Sequence, residues 1–131
     1  MTEALPVFTR VTLFSDGDGR ARWRDEPIVL GDGNPQFRVA PPMACSEMQL
    51  RESPVGYGGG FHCTPRRQWL FILQGCIEIG LQDGSSRQFR AGDHVYVADL
   101  LPEGATFDPQ LHGHRSRQVG DEPLRTLFLR E

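Results

Sequence analysis

Three side chains in this sequence carry donor atoms well suited to a functional site: His62, Gln68 and His114. Imidazole nitrogens and oxygen donors suit a divalent transition metal, and the same side chains can bind a polar ligand without one. Alternate side chains of a strand share a face, so Thr64 and Gln68 fall on the same side as His62. The spacing therefore predicts that these residues project into one interior, with His114 on a second strand.

Charged residues nearby extend this candidate site. Asp99 shares a predicted strand face with residues 95 and 97, and its carboxylate is one candidate source of negative charge. Glu52, on an earlier strand, is the other candidate. Arg66 is placed to hold a carboxylate or phosphate of a ligand, with a surface salt bridge as the alternative. The predicted ligand pocket consists of His62, Thr64, Gln68, Asp99, His114 and Arg66, with His62, Gln68 and His114 as the metal ligands.

Three other polar or aromatic residues are assigned outside the pocket. His94 falls on the opposite strand face, which predicts a surface position or a subunit contact. His112 lies in a polar loop and is expected to be exposed, with a lid over the pocket as the alternative. Trp69 has the parity of the outer face, which favours a packing or interface role.

Short β-branched and aromatic runs must position these side chains, since no long segment repeats apolar residues at helical spacing. An all-β fold is therefore predicted, as an antiparallel barrel or sandwich. Gly31 to Pro35 is predicted to be a turn, and residues 100–111 a polar loop. The predicted strands are Val7–Phe14, Ala21–Leu30, Ala44–Glu52, Gln68–Leu73, Cys76–Leu81, Ser86–Arg90, His94–Asp99, His114–Val119 and Leu124–Arg130.

Length and charge exclude several classes of function. The 131 residues predict a single domain, and the formal net charge is −3. All 14 basic residues are arginines, which excludes lysine-based Schiff-base chemistry and a phosphate-binding P-loop. The arginines are spread along the chain among acidic residues, so no nucleic-acid-binding face is predicted.

Cysteine usage and hydropathy favour a cytoplasmic protein. The three cysteines, Cys45, Cys63 and Cys76, lack CxxC spacing and are expected to be small, partly buried thiols in a reducing compartment. Residues 1–10 lack the basic and apolar regions of a signal peptide. The longest apolar run, residues 69–73, is far shorter than the ~20 residues of a membrane helix. No membrane partner is predicted.

The spacing of the candidate residues resembles the first motif of the cupin family, G-x5-H-x-H-x3–4-E-x6-G. Gly56, His62 and Gly75 match this pattern in identity and in spacing. Thr64 stands at the second histidine position and Gln68 at the glutamate position. The change replaces a strong nitrogen donor and a negative charge with neutral oxygen donors, so metal affinity is expected to fall.

The second cupin motif, G-x5-P-x-G-x2-H-x3-N, has a partial counterpart. Gly92 is followed at the expected distance by Ala98 in place of proline. The segment after it is roughly eleven residues longer than the pattern, and His114 and Gln118 then take the histidine and asparagine positions. The resemblance implies a single cupin domain over residues 1–131, with its motif core at 56–118. Its implied fold is an antiparallel β-barrel of the jelly-roll, or double-stranded β-helix, type.

The resemblance also implies a function and a partner. It implies one divalent transition metal (Fe, Mn, Ni, Zn or Cu) and oxygenase, isomerase or decarboxylase chemistry on a small polar or acidic molecule. The altered ligands keep a second hypothesis open, a non-catalytic binder or sensor of a small molecule. Small cupins usually pair by sharing strands, so a homodimer is expected with Val7–Phe14 as a candidate interface strand. A purely structural role is the third hypothesis.

Overall fold

The computed structural model describes residues 4–131, and this part of the chain contains eleven strands and no helix. The all-β prediction is therefore confirmed. No helix in residues 4–131 is long and apolar enough to cross a membrane. The strands are β1 (Val7–Ser15), β2 (Ala21–Val29), β3 (Asp32–Asn34), β4 (Phe37–Val39), β5 (Glu47–Ser53), β6 (Gln68–Gln74), β7 (Cys76–Gly80), β8 (Ser86–Arg90), β9 (His94–Ala98), β10 (Arg115–Val119) and β11 (Leu124–Arg130).

The strands form three sheets. One has six strands in the order β2-β1-β9-β6-β11-β5, one has three in the order β10-β7-β8, and β3 pairs with β4 alone. All pairs are antiparallel except β1 and β9, which run parallel from Thr12 to Phe14. The described strands thus form mixed and antiparallel sheets in which no closed barrel is found. The expected purely antiparallel pairing is wrong at β1.

The core draws side chains from both larger sheets. In β6, Leu70 and Ile72 point inward, whereas Trp69 and Phe71 point to the other side, as the alternation of a strand requires. The three-stranded sheet contributes Ile79, which is 1% exposed, as is Ile72. Burying a side chain of this size stabilises the fold by about 1.5–3 kcal/mol. The two sheets are therefore held together by their apolar inner faces.

The opposite side of the six-stranded sheet, the outer face, is also apolar. Cross-strand pairing aligns its side chains in two rows over β5, β11 and β6. Met48 and Leu50 on β5 remain 64% and 67% exposed. The rows are Leu50, Leu127 and Phe71, and Met48, Leu129 and Trp69.

The segment predicted as a turn at Gly31–Pro35 instead contains a small hairpin. Asp32–Asn34 pairs with Phe37–Val39, and the Asn34 carboxamide oxygen accepts a hydrogen bond from the Gln36 N–H at 2.9 Å. Gly33 has a φ of +93°, and a Cβ there would lie 2.4 Å from the Phe37 carbonyl oxygen. The predicted turn residues therefore belong to a strand pair, because a glycine at position 33 permits the close approach to the Phe37 carbonyl oxygen.

Candidate functional site

A cavity of about 210 Å³ opens between the two larger sheets. It is smaller than the roughly 300–1,000 Å³ of drug-sized ligand pockets, so its ligand must be small. Its polar side chains come from β5, β6, β10 and β11 and from the loops at 57–65 and 114. The lining residues are Arg51, Ser53, Tyr57, His62, Thr64, Pro65, Gln68, Leu70, Ile77, Ile79, Val97, His114, Ser116, Leu124, Thr126, Phe128 and Arg130. Four of the predicted pocket residues, His62, Thr64, Gln68 and His114, thus lie together here.

His114 is oriented by a buried carboxylate. Its Nδ1 lies 2.5 Å from Oδ2 of Asp99, whose side chain is fully buried. A carboxylate only accepts, so the neutral His114 ring carries its proton on Nδ1 and presents Nε2 as the unprotonated nitrogen. The other carboxylate oxygen, Oδ1, has no hydrogen-bond partner among residues 4–131. Asp99 itself does not line the cavity, and it acts on the cavity through His114.

His62 lies beside His114 at the mouth of the cavity, with the two ring centroids 4.6 Å apart. Their backbones exchange two hydrogen bonds, at 2.8 and 3.0 Å. The His62 Nδ1–H donates to the Gly60 carbonyl oxygen at 3.1 Å, so Nε2 is the unprotonated nitrogen of its neutral ring as well. Both rings therefore present a free Nε2 lone pair.

Gly113 makes this close approach possible. Its φ is +78°, and a Cβ at this position would lie 2.2 Å from the His62 carbonyl oxygen. Only glycine combines this backbone conformation with such a short distance. The glycine next to His114 is therefore part of the site's construction, although the sequence analysis assigned it no role.

Gln68 and Thr64 form the buried floor of the cavity, where they join a directional chain of hydrogen bonds. The Thr64 hydroxyl donates to the Arg66 carbonyl oxygen at 2.6 Å, so its oxygen accepts from Gln68 Nε2 at 3.1 Å. Gln68 Oε1 in turn accepts from Arg130 Nε at 2.9 Å. Both ends of the Gln68 amide are consequently occupied.

Two arginines that the sequence analysis missed supply the charge of the cavity. Arg130, near the end of β11, also donates to Glu47 and Gln49 on β5. Arg51 lies over the Phe128 ring, with its guanidinium carbon 4.5 Å from the ring centroid. A signal was present for Arg130, which shares parity with the apolar residue Phe128. For Arg51 the pattern was misleading, because the apolar Met48 and Leu50 of opposite parity face outward.

Two predicted charged contributors lie elsewhere. Arg66 points away from the cavity and donates to the Glu131 carbonyl oxygen, to Ser46 and, at 3.2 Å, to Glu47. The surface salt bridge is thus the arrangement found. Glu52 faces outward on β5 and pairs with Arg125 at 3.0 Å, so it supplies no charge to the site. Its position follows from strand alternation, since the neighbouring Arg51 and Ser53 face the cavity.

The remaining histidines are structural. His94 lies on the predicted face but is half-buried, and its Nε2 accepts a hydrogen bond from the Val11 N–H at 3.1 Å. Burial lowers the pKa of His94, with Asp93 opposing the shift. His112 is 5% exposed, so its predicted exposure is wrong. The loop turns back at 108–112, and His112 Nδ1 accepts from the Asp108 N–H at 2.9 Å. Trp69 packs against Phe71 on the outer face, as expected.

Cys63 lies next to His62 in sequence but is not an activated nucleophile. Burial, followed by the charge of Asp99, raises the pKa of the Cys63 thiol. A catalytic thiol requires the opposite shift, because the thiolate is the reactive form. The prediction of buried or half-buried thiols holds for Cys63 and Cys76, but it is wrong for Cys45, which is exposed.

The donor set of the cavity is incomplete for a divalent metal. His62 and His114 offer two Nε2 lone pairs, but the Gln68 oxygen is held by the Arg130 guanidinium. No group of three His, Cys, Asp or Glu side chains within residues 4–131 is arranged to hold a metal ion. A cation at Gln68 would have to displace Arg130 and would face its positive charge. The residues present do not fit the predicted three-ligand site, and metal binding stays a prediction from the sequence alone.

Comparisons with known proteins give little further information. The chain matches no family model and no curated protein. Among solved structures it is similar to the crystal structure of protein NMB1881 from Neisseria meningitidis, at 18% identity and a TM-score of 0.42. The match covers 64% of this chain and 72% of that chain. A likeness of this degree carries no argument about fold or function.

Proposed function

We propose that the cavity binds a small molecule bearing a carboxylate or a similar anionic group, and that His114 moves a proton on that molecule. One observation carries this proposal. The lining contains two arginines and two histidines and, among the described residues, no acidic side chain. The Asp99 carboxylate does not line the cavity; it lies behind His114 and orients its ring.

The charge balance favours an anionic ligand. Arg130 shares Glu47 with Arg66, so its charge is partly compensated outside the cavity. Arg51 forms no salt bridge within residues 4–131 and is held by its contact with Phe128. A guanidinium presents paired N–H donors that match the geometry of a carboxylate. Arg51 is therefore the residue best placed to bind the ligand's charge.

The proposed chemical step is a proton transfer. His114 Nε2 takes a proton from an O–H or an acidic C–H of the ligand, and the electron pair stays on the ligand as an oxyanion or enolate. The resulting imidazolium is stabilised by the Asp99 carboxylate, and the new anion by the cavity's arginines. No resident nucleophile is required for this step.

A non-catalytic binder or sensor is the second candidate. It is favoured by the occupied amide of Gln68 and the unreactive Cys63, which leave the two histidines as the groups best suited to proton transfer that residues 4–131 bring to the cavity. In this case the arginines bind the same class of ligand, and His114 serves as a hydrogen-bond partner only.

A thermal-shift panel of small mono- and dicarboxylic acids in excess chelator tests ligand binding. At a concentration of 100 times Kd, a ligand stabilises the folded protein by about 2.7 kcal/mol. We expect the stabilisation by the best acid to be lost in Arg51→Met and retained in the matched outward variant Arg125→Met. No stabilisation by any acid would contradict the proposal. Solvent deuterium exchange into the bound acid, with His114→Gln as control, then separates catalysis from binding.

We propose that the fold is a single cupin domain of jelly-roll type over residues 1–131. The spacing of both motifs supports this, as does the contact between their ends. The Gly56 N–H donates to Gln118 Oε1 at 2.8 Å, and Gln118 Nε2 donates to the carbonyl oxygens of Gly120 and Glu122, each at 2.9 Å. A cytoplasmic location remains part of the proposal. An experimental structure in which the two large sheets do not face each other would contradict the jelly-roll fold.

We also propose a homodimer, supported by two features of the six-stranded sheet. The outer face exposes Met48 and Leu50 beside other apolar side chains. Strand β1 pairs with β2 along its whole length but with β9 only from Thr12 to Phe14, which leaves one edge of residues 7–10 without a strand partner; the Val11 N–H donates to His94. An open strand edge is a site for pairing with another chain. Analytical ultracentrifugation should show a dimer that Leu50→Glu weakens, and a monomer at all concentrations would contradict it.

A further inference from the structure

We infer that Arg130 closes this cavity to divalent cations and fixes it as an anion site, so that the ligand binds without metal. The inference rests on the proposed function for the class of ligand. It assigns Arg130 the role of a specificity-determining residue, which neither the composition nor the spacing of the motifs indicates.

The position of Arg130 is set by strand register. Its Cα is paired with Gln68 of β6 on one side and with Glu47 of β5 on the other. The guanidinium donates to acceptors on both neighbours, to Gln68 through Nε at 2.9 Å and to Glu47 through a terminal nitrogen at 3.3 Å. A third donor reaches Gln49 at 2.8 Å. The Arg130 guanidinium is therefore held in place by hydrogen bonds to side chains of two strands, β5 and β6.

The orientation of the Gln68 amide is forced by its neighbours. Arginine only donates, so the amide oxygen must face Arg130. The Thr64 hydroxyl donates its proton to the Arg66 carbonyl oxygen, so Thr64 can only accept from Gln68 and the amide nitrogen must face it. If the Gln68 amide were rotated by half a turn, its N–H₂ group would face the N–H donor of Arg130. The Thr64 oxygen would then face the amide oxygen and would accept no hydrogen bond from Gln68. The oxygen that a metal would need is thus held by a cation already.

Arg130 keeps donors for a ligand after these contacts. A guanidinium has five N–H groups, and three are used by Gln68, Glu47 and Gln49. The remaining N–H groups belong to a side chain that lines the cavity and is 16% exposed. An anion in the cavity therefore meets fixed donors, whereas a divalent cation meets a fixed positive charge beside its oxygen ligand.

A set of substitutions separates the effect of charge from that of the missing carboxylate. We compare the native protein, Gln68→Glu, Arg130→Met and the double variant Gln68→Glu/Arg130→Met. Binding of Co²⁺ is measured by calorimetry and by visible absorption, after far-ultraviolet circular dichroism has shown that each variant is folded. The double variant should bind Co²⁺ at least tenfold more tightly than Gln68→Glu, because the carboxylate is then freed from its arginine partner. Adding His114→Ala to the double variant should abolish this gain.

Two further measurements make the result decisive. Arg130→Lys in the Gln68→Glu background keeps the charge and should bind Co²⁺ no better than Gln68→Glu alone. The native protein should keep its carboxylate-induced thermal shift in chelator. If Gln68→Glu binds Co²⁺ as tightly as the double variant, Arg130 does not exclude metal and the inference is overturned. Tight Co²⁺ binding by the native protein overturns it as well. Loss of carboxylate binding, with the metal results unchanged, overturns the proposed function instead.

Discussion

Gly113 lets the two histidine segments approach, and we expect Gly113→Ala to force them apart. Its φ is +78°, and the added Cβ would lie 2.2 Å from the His62 carbonyl oxygen. The left-handed conformation costs a non-glycine residue about 1–2 kcal/mol. Relief of the clash breaks the two backbone hydrogen bonds between His62 and His114, at about 0.5–1.5 kcal/mol each. The free energy of unfolding should therefore fall by about 2–5 kcal/mol.

Gly104→Ala is the matched control for this prediction. Gly104 also has a φ of +78°, but no atom lies within 4 Å of its added Cβ. Both variants carry the same conformational cost and the same reduction in unfolded-state entropy, so their difference isolates the contact with His62. Urea unfolding followed by tryptophan fluorescence measures both. Equal losses in the two variants would refute the role assigned to Gly113, and Gly113→Ala should also lose carboxylate-induced stabilisation.

Three further substitutions test the site and the core. Asp99→Asn removes the charge that favours the Nδ1–H form of His114, so nitrogen-15 spectra should show more of the Nε2–H tautomer; an unchanged tautomer would argue against the carboxylate's role. His94 has a pKa lowered by burial, so its neutral form stabilises the fold fully above the unfolded value of about 6.5, and this contribution declines as pH falls below it. His94→Gln should lose that part of the acid destabilisation, measured as the free energy of unfolding at neutral and mildly acidic pH, and an identical pH dependence would exclude it. Ile72→Ala should cost about 2–5 kcal/mol in urea unfolding, because the side chain is 1% exposed, and a loss near zero would contradict tight packing there.

The strands and their inward faces could be predicted from the sequence because the signal is local. Residues 69–73 are all apolar, and their parity with His62 and Gln68 is enough to place Leu70 and Ile72 on the interior, where the burial pattern of β6 puts them. The gathering of His62, Gln68 and His114 in one cavity is also what the alternation and the motif spacing imply.

The charge of the site could not be read in the same way. Arg130 faces Gln68 and Glu47 only because β11 lies between β5 and β6, and strand order is a property of the whole sheet. Glu52 points away from the site because it shares a strand face with Met48 and Leu50, which are apolar but lie on the outer side of the sheet. His112 is buried by a turn that its own hydrogen bond to Asp108 closes. Each of these depends on contacts that hydrophobic periodicity does not encode.

The order of strands in the six-stranded sheet has a consequence for the folding kinetics of this chain. Thr12 is adjacent to Tyr96, and Glu47 is adjacent to Arg130, so the sheet closes through pairings between residues far apart in sequence. The entropy of closing such loops precedes any gain from contacts, which places folding of this topology at about milliseconds to seconds. The cavity acquires Arg130 only when β11 inserts between β5 and β6. Ligand binding therefore reports the completed fold, because an intermediate that retains every local hairpin has Arg51 on β5 but lacks Arg130 beside it.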